Sequence, residues 1–178
     1  MDNKLAIGAL APDFKLPSVD GKDYSLQSFS RSILVVIFSC NHCPYVQAYE
    51  DRIISLQRIY QEKGVAFVAI NANETENHPE DTFEKMVTRS KAKGFNFPYL
   101  RDETQKVAEA FGAHYTPEIF LLDNKHHLQY TGKIDDNWQD VSQVQVQYLR
   151  DAIEAILSGR PIEVAETHAI GCTIKWAK

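Results

Sequence analysis

The sequence predicts an α/β sandwich with a central mixed β-sheet flanked by helices, because extended and helical patterns alternate along the chain. Segments rich in Val, Ile, Phe and Tyr alternate with segments whose apolar residues recur every three or four positions. No internal repeat or linker divides the 178 residues. We therefore expect one domain over 1–178, with an N-terminal extension and a C-terminal tail, 161–178, docked on it.

The order of the predicted elements follows from these patterns. Strands are expected at 14–16, 33–39, 65–71, 119–123 and 128–132, the last two joined as a hairpin through 124–127. Helices are expected after Cys43 up to Gly64, from Pro79 onward, over about 103–111, and over about 144–157 before Gly159 and Pro161. The sheet is mixed because it combines crossovers through helices with a hairpin.

Composition and charge exclude several classes of protein. Hydrophobic residues make up 44% of the chain and Gly and Pro are few, which disfavours collagen-like and disordered chains. The net charge of −5 argues against nucleic acid and against an anionic membrane surface as partners. The longest apolar run, 33–38, falls far below the ~20 residues of a membrane helix, and the first residues contain no apolar signal core. A cytoplasmic protein is expected, with a periplasmic location as the alternative.

The chemically informative motif is Cys40-Asn41-His42-Cys43-Pro44, between the strand 33–39 and the long helix. Two intervening residues let both sulfurs meet across the first helical turn, where free backbone N–H groups stabilise a thiolate. Lowering a cysteine pKa by one unit raises the thiolate at neutral pH from a few per cent to roughly a quarter. This spacing beside a βαβ pattern indicates a thioredoxin-like redox motif.

The cysteine pair and the residues around it have alternative interpretations. The pair itself is also half of a zinc site, but no second Cys-x-x-Cys follows, or it is an inert pair of buried thiols. His42 tunes the redox potential through a donor near sulfur, or faces solvent without a role. Asn41 is expected to be a helix cap rather than a participant. Pro44 occupies an early helical position and, with Asn41 and His42, belongs to the group expected to tune the redox potential of the pair.

Thr116-Pro117 directly precedes the strand 119–123 and is the second candidate element. The tertiary amide of an X-Pro bond brings the cis form within ~0.5 to 1 kcal/mol of trans. A bend of this kind ahead of a strand exposes a backbone edge to a disulfide substrate. Trans is the ordinary expectation for such a bond, and only the cysteine pair elsewhere in the chain favours cis.

These motifs resemble a known family. Residues 8–14, Asp20-Gly21, the Cys-x-x-Cys after an apolar strand and Thr116-Pro117 are similar to the redoxin branch of the thioredoxin superfamily, which contains alkyl hydroperoxide reductase and thiol-specific antioxidant (AhpC/TSA) proteins. Segments 40–45, 69–73, 97–103, 132–136 and 170–176 resemble its bacterial peroxiredoxin-like, thioredoxin-family proteins. The resemblance covers nearly the whole chain. It implies a thioredoxin-like sandwich in which a cis Pro117 bond faces the two cysteines.

The peroxidase signature of that branch is missing. Peroxiredoxins carry Thr or Ser three residues before the peroxidatic cysteine and Pro four residues before that. With Cys43 in the peroxidatic place, these positions hold Cys40 and Val36. The hydroxyl and the proline ring that shield and orient a peroxide are therefore absent, which weakens the prediction of peroxide reduction.

Cys172 lies in the tail segment 170–176, which matches the family ending. It is either a third redox thiol that exchanges with the pair, or a small apolar residue that anchors the tail together with Ile174 and Trp176. Three cysteines are too few for a secreted disulfide framework, so their presence calls for another explanation.

We therefore predict an enzyme, a thiol–disulfide oxidoreductase in which Cys40, as the more exposed sulfur, attacks a disulfide and Cys43 resolves the mixed disulfide. The redox-active disulfide is expected to be its only redox group, with no other cofactor and no metal. Protein or small-molecule disulfides are the expected substrates, with a thioredoxin or glutathione as donor, for a monomer or homodimer. The alternatives are a peroxiredoxin-like antioxidant peroxidase and, third, a non-enzymatic metal-binding or interaction module.

Overall fold

The structure, a computed structural model, describes residues 3–178. Its strands are β1 (Lys15–Pro17), β2 (Asp23–Ser25), β3 (Ile33–Ser39), β4 (Val65–Asn71), β5 (Tyr99–Arg101), β6 (Tyr115–Thr116), β7 (Glu118–Leu122), β8 (Leu128–Gly132) and β9 (Cys172–Thr173). Its α-helices are α1 (Pro44–Tyr60), α2 (Phe83–Lys93), α3 (Lys106–Phe111) and α4 (Tyr148–Leu157).

The central sheet has five strands in the order β5-β4-β3-β7-β8. Strand β3 pairs parallel with β4, and β4 pairs parallel with β5, while β7 pairs antiparallel with both β3 and β8. The predicted mixed sheet is thus confirmed, including its terminal hairpin. Ser39 lies opposite Asn71, and Phe38 lies opposite Glu118. The carboxyl ends of β3 and β4 and the amino end of β7 therefore meet at one edge, where Cys40 and Pro117 follow and precede them.

The two faces of β3 contribute to separate apolar clusters. Val35 and Ile37 pack with α1 and α4 side chains, whereas Leu34, Val36 and Phe38 pack with α3 and the N-terminal strands. All five side chains are fully buried, which explains why β3 is a continuous apolar run rather than an alternating one. Each such side chain contributes about 1.5–3 kcal/mol through burial, so the strand before the cysteines is rigidly held.

Three predicted helices begin later than the sequence pattern indicated. Pro79–Asp81 forms a separate 3₁₀ turn, and α2 begins at Phe83 because the Thr82 hydroxyl accepts a hydrogen bond from the backbone N–H of Lys85. Helix α3 begins at Lys106 rather than near 103, and α4 at Tyr148 rather than near 144. Glu80 and Asp81, which follow Pro79, therefore lie in a turn that precedes α2.

The short strands escaped prediction. The first predicted strand, 14–16, is shifted by one residue relative to β1, and β2, β5, β6 and β9 were not predicted. Strands of two or three residues are too short to show a period of two. They are defined by their partners, as in the pairing of β1 with β2 and of β4 with β5.

The C-terminal tail forms a separate two-stranded sheet with β6, which directly precedes Pro117. Strand β9 pairs antiparallel with β6, with Cys172 opposite Thr116. Ile174 is 3% exposed and joins the core, and the backbone of Lys175 hydrogen-bonds to Asn73 and Glu74. Trp176 is 42% exposed, so its expected role in anchoring the tail is wrong.

Hydropathy along the helices bears on membrane insertion. Within residues 3–178, none of the helices combines the length and apolar character needed to cross a bilayer.

Candidate redox site

The Cys-x-x-Cys motif lies where the chain passes from β3 into α1. Cys43 is the N-cap residue of α1 and Pro44 is its first residue, as the sequence predicts. Helix α1 has 17 residues, so its first turn presents free N–H groups and the positive end of a full helix dipole to the sulfurs. His42 and Pro44 are exposed beside the buried pair, and the tuning role expected for them stays a prediction.

The strand-preceding Thr116-Pro117 segment lies against both sulfurs. Its peptide bond is cis, as the family resemblance implies. The Cys40 sulfur lies 3.4 Å from the Thr116 hydroxyl oxygen, and the Cys43 thiol lies 3.5 Å from the Thr116 carbonyl oxygen. The structure therefore brings the four residues that the sequence selected as catalytic candidates into one site.

Cys172 completes a cluster of three thiols. Its sulfur lies 2.8 Å from the sulfur of Cys43. Cys40, Cys43 and Val46 form a small buried apolar group, against which Tyr45 and Cys172 pack. All three cysteines are free thiols. The arrangement holds a dithiol with a third thiol in contact, which is the minimum set for disulfide exchange within one chain.

Hydrogen bonding polarises the pair. The Cys40 thiol hydrogen-bonds to Cys43 and lowers the pKa of Cys43 to about 4, with further donors from the Cys172 thiol and the backbone N–H of Val46. The same bond, together with burial and the charge of Asp81, raises the pKa of Cys40. Burial and the Cys43 anion raise the pKa of Cys172 to about 11. A single thiolate, on Cys43, is therefore stabilised by two neighbouring thiols.

The three thiols differ in accessibility. Cys40 is 3% exposed and Cys43 is 0% exposed, so both sulfurs are buried in this conformation, and which of the two attacks a substrate stays a prediction. Cys172 is the partly exposed thiol of the three. The pairing of β9 with β6 places Cys172 against the group that contains both sulfurs, and this contact is the one that an exchange of Cys172 with the pair requires.

Asn41 was expected to cap the helix, and this expectation is wrong. Its backbone N–H donates to Asp81 at 2.7 Å, its side-chain amide donates to the Glu80 carbonyl, and its side-chain oxygen accepts from the Tyr99 hydroxyl at 2.7 Å. These bonds fasten the loop between the cysteines to β5 and to the turn before α2. Cys43 takes the cap position instead, without a side-chain hydrogen bond.

A buried polar cluster supports the cysteine loop and was missed in the sequence. The Asp81 carboxylate, 1% exposed, accepts hydrogen bonds from the side chains of Asn71 and Asn73 as well as from the backbone of Asn41. The Tyr99 hydroxyl also donates to Asn41. The available signal was the pair of asparagines at the end of β4, because polar residues after a buried strand indicate a specific hydrogen-bonding role.

The described part of the chain contains no set of side chains arranged as metal ligands. Among residues 3–178, no group of three or more His, Cys, Asp or Glu side chains is placed to hold a metal ion. The zinc interpretation of the cysteine pair thus gains no support from geometry.

Comparison with known proteins identifies the family. A sequence profile of the AhpC/TSA family matches residues 7–131, more than half of the chain. The protein named thiol-disulfide oxidoreductase ResA from Geobacillus thermodenitrificans is 29% identical over 119 residues, which cover 67% of this chain and 64% of that protein. This chain thus spans slightly less than two thirds of that relative's length.

Solved structures agree with the fold. An uncharacterized conserved protein from Geobacillus kaustophilus superimposes with a TM-score of 0.92 and 39% identity, covering 98% of this chain and 94% of the other. The thioredoxin domain of a thiol-disulfide oxidoreductase from Bacteroides vulgatus gives a TM-score of 0.61 at 18% identity, covering 70% and 86%. The predicted thioredoxin-like sandwich is confirmed, and the predicted function class agrees with the names of the relatives. The chain belongs to the AhpC/TSA family, in the thioredoxin superfamily.

Proposed function

We propose that this protein is a thiol–disulfide oxidoreductase whose Cys40 and Cys43 alternate between a dithiol and a disulfide. The observation that carries the proposal is the position of both sulfurs at the start of α1, each in contact with Thr116 of the cis Thr116-Pro117 segment. A thiolate is the attacking form in disulfide exchange, and a neighbouring thiol resolves the mixed disulfide that it forms. The name of the ResA relative supports the same chemistry.

The reaction is a two-electron exchange. In the reducing direction, a client disulfide becomes two thiols while the sulfurs of Cys40 and Cys43 form a bond, and the reverse steps oxidise a client dithiol. No metal or organic cofactor is needed, because the electrons move between sulfurs. The hydrogen bond to Cys43 and burial, with a further contribution from the Asp81 charge, raise the pKa of Cys40, so the negative charge of the reduced pair is kept on Cys43.

The partners are proposed from the same chemistry. Protein or small-molecule disulfides are the clients, and a thioredoxin or glutathione regenerates the pair in a cytoplasmic setting, where dithiols are kept reduced. The chain acts as a monomer or a homodimer. The net charge of −5 disfavours nucleic acid as a partner.

The test is reduction of insulin by the purified protein with a limiting dithiol as electron donor. Replacing Cys43 by Ser removes the sulfur on which the pair depends, and we expect turnover to fall to the uncatalysed rate. The matched control is Tyr45→Phe, which keeps the ring that packs on Trp138 and changes no sulfur. Insulin reduction by Cys43→Ser at the wild-type rate would exclude the proposal.

The direction of exchange follows from the midpoint potential of the pair, measured against glutathione. A value near about −270 mV identifies a reductant and one near about −120 mV an oxidant. A peroxidase function has less support. Cys40 and Val36 occupy the places of the peroxidase signature, and Val36 is fully buried within β3. A fast reaction of the reduced protein with hydrogen peroxide would favour the peroxidase instead.

A further inference from the structure

The tail occupies the position in which the redox pair would otherwise meet a client. Strand β9 forms a short ladder with β6, and Ile174 donates its backbone N–H to the His114 carbonyl at 2.8 Å. Addition of a strand to an exposed sheet edge is a general mode of peptide recognition. The tail pairs with β6 as a bound peptide strand would, and this pairing places Cys172 against Cys43.

The positions of the three sulfurs define an order. Cys172 is partly exposed and contacts the buried Cys43, and the buried Cys40 lies against the Thr116 hydroxyl. The 2.8 Å between the sulfurs of Cys172 and Cys43 needs to shorten by less than about 1 Å to reach the length of a disulfide bond. A client at the surface therefore reaches Cys172 before it reaches the pair.

We propose that Cys172 is a third redox residue, which reacts with the client disulfide at the surface and passes the bond to Cys43. The proposal rests on the function proposed above and deepens it, since it names the thiol that contacts the client. Clients are disulfides accessible to a surface thiol, such as oxidised glutathione or an exposed protein disulfide. The tail is then a working part of the site.

The steps balance as three successive exchanges. The Cys172 thiol first loses its proton to solvent, and its sulfur then attacks one client sulfur, so that the client disulfide breaks and the first client thiolate leaves. The Cys43 thiolate then attacks the sulfur of Cys172, forming a Cys43–Cys172 disulfide and releasing the second client thiolate. Cys40 loses its proton, attacks Cys43, and releases Cys172. The client gains two electrons and two protons, one from Cys40 and one from solvent, and the Cys40–Cys43 disulfide remains.

The intermediate can be trapped by removing the last step. In Cys40→Ser, the final attack is impossible, so oxidised glutathione should convert the reduced variant to a Cys43–Cys172 disulfide. Trypsin would then give a linked pair of peptides, 32–52 and 151–175, which mass spectrometry detects without reductant. The control variant Cys40→Ser with Cys172→Ser lacks the partner thiol, and should carry glutathione on Cys43 instead. Absence of the linked peptides from Cys40→Ser would overturn the proposal.

The second measurement is client reduction by Cys172→Ser. We expect insulin or oxidised glutathione to be reduced at least about tenfold more slowly than by the wild type, because an exchange within the chain is lost. The midpoint potential of the Cys40–Cys43 pair should change little, because the serine hydroxyl can replace the Cys172 thiol as a donor to Cys43. A merely structural role would not predict this together with the slower rate. Thr88→Ser, an exposed position on α2, is the control with wild-type activity.

The outcomes separate the two proposals. A wild-type protein that reduces no disulfide refutes the oxidoreductase function itself. A wild-type protein that is active, accompanied by a Cys172→Ser variant that is equally fast or faster, refutes only the role of Cys172.

Discussion

Gly171 is the position at which the docking of the tail can be tested most directly. It precedes β9 and passes close to the Thr116-Pro117 segment. A Cβ atom at this position would lie 2.1 Å from the Thr116 carbonyl oxygen and 2.7 Å from its carbonyl carbon. Both contacts are with backbone, so no side-chain rotation relieves them. In Gly171→Ala, the tail must therefore shift by roughly 1 Å or leave the edge.

The magnitude follows from the cost of overpacking. Forcing one extra methyl group into a close-packed contact costs about 1–3 kcal/mol. This cost falls on the docked tail and not on the undocked one, so the equilibrium between the two shifts toward the undocked state. A shift of this size corresponds to roughly a 5- to 150-fold larger population of molecules in which the sulfurs are uncovered.

Alkylation reports this population. With the reduced protein, iodoacetamide reacts with Cys40 and Cys43 only when the tail has moved, since they are 3% and 0% exposed. When closing is faster than alkylation, the rate of labelling follows the open population. We therefore expect labelling of both cysteines, quantified by mass spectrometry, to be roughly 5- to 150-fold faster in Gly171→Ala than in the wild type.

The matched control is Gly64→Ala. Gly64 has a φ of +77° and no atom within 4 Å of an added Cβ, so the substitution strains the backbone far from the tail without a clash. It lowers global stability and leaves the tail docked. Equal labelling rates for Gly171→Ala and wild type, or equal acceleration by both alanine variants, would refute the reasoning that the tail covers the sulfurs.

Three further predictions concern the buried charges. In Asp81→Asn, an amide replaces the carboxylate that accepts hydrogen bonds from Asn41 and Asn71. Because one of these bonds is lost, the free energy of unfolding in urea should fall by about 2–3 kcal/mol. Arg89→Ala leaves the Glu50 carboxylate, 3% exposed, without its ion-pair partner, and should cost about 3 kcal/mol by the same measurement. Because the pKa of Cys43 is lowered to about 4, its anion is present above that pH, and the thiolate ultraviolet absorbance of the reduced protein should disappear as the pH falls through about 4.

Two of these three predictions have a matched comparison. Lys93→Ala removes a surface ion pair whose carboxylate, on Asp51, is 83% exposed, and should change stability by at most about 0.5 kcal/mol. Loss of stability equal to that of Arg89→Ala would contradict the argument from burial. Cys43→Ser should remove the absorbance change at low pH, and its persistence would assign the anion to another residue. Wild-type stability of Asp81→Asn would show that the polar cluster is not needed.

The predictable part of the fold consists of long segments with one period. The buried run of β3 and the apolar stripe of α1, with Val46, Tyr49 and Ile53 facing inward, were predicted because many residues repeat one pattern. The start of α2 was misplaced because Pro79, a favoured first residue of a helix, here opens a 3₁₀ turn instead. Competing local signals of this kind are decided by hydrogen bonds such as the one that Thr82 accepts.

The candidate site was predictable to the extent that its residues are close in sequence. The spacing of Cys40 and Cys43 and their place before a helix indicated the chemistry. The contact of Cys43 with Cys172 joins positions 129 residues apart, and no local pattern encodes it. Likewise, Asp81 lies 40 residues from Asn41 and becomes its partner only through the fold. Both sulfurs of the pair are buried, which the spacing of two cysteines before a helix does not reveal.

The short ladder between β6 and β9 has a consequence for the range of molecules that the protein can serve. Because both strands belong to one chain, the segment bearing Cys172 is present at the edge at an effective concentration on the order of millimolar, whatever the dilution of the protein. Any other peptide that pairs with β6 must compete with the tail of the same chain. Only a molecule that binds more tightly than the tail, or one that reacts with Cys172 on the tail, reaches the sulfurs of the pair.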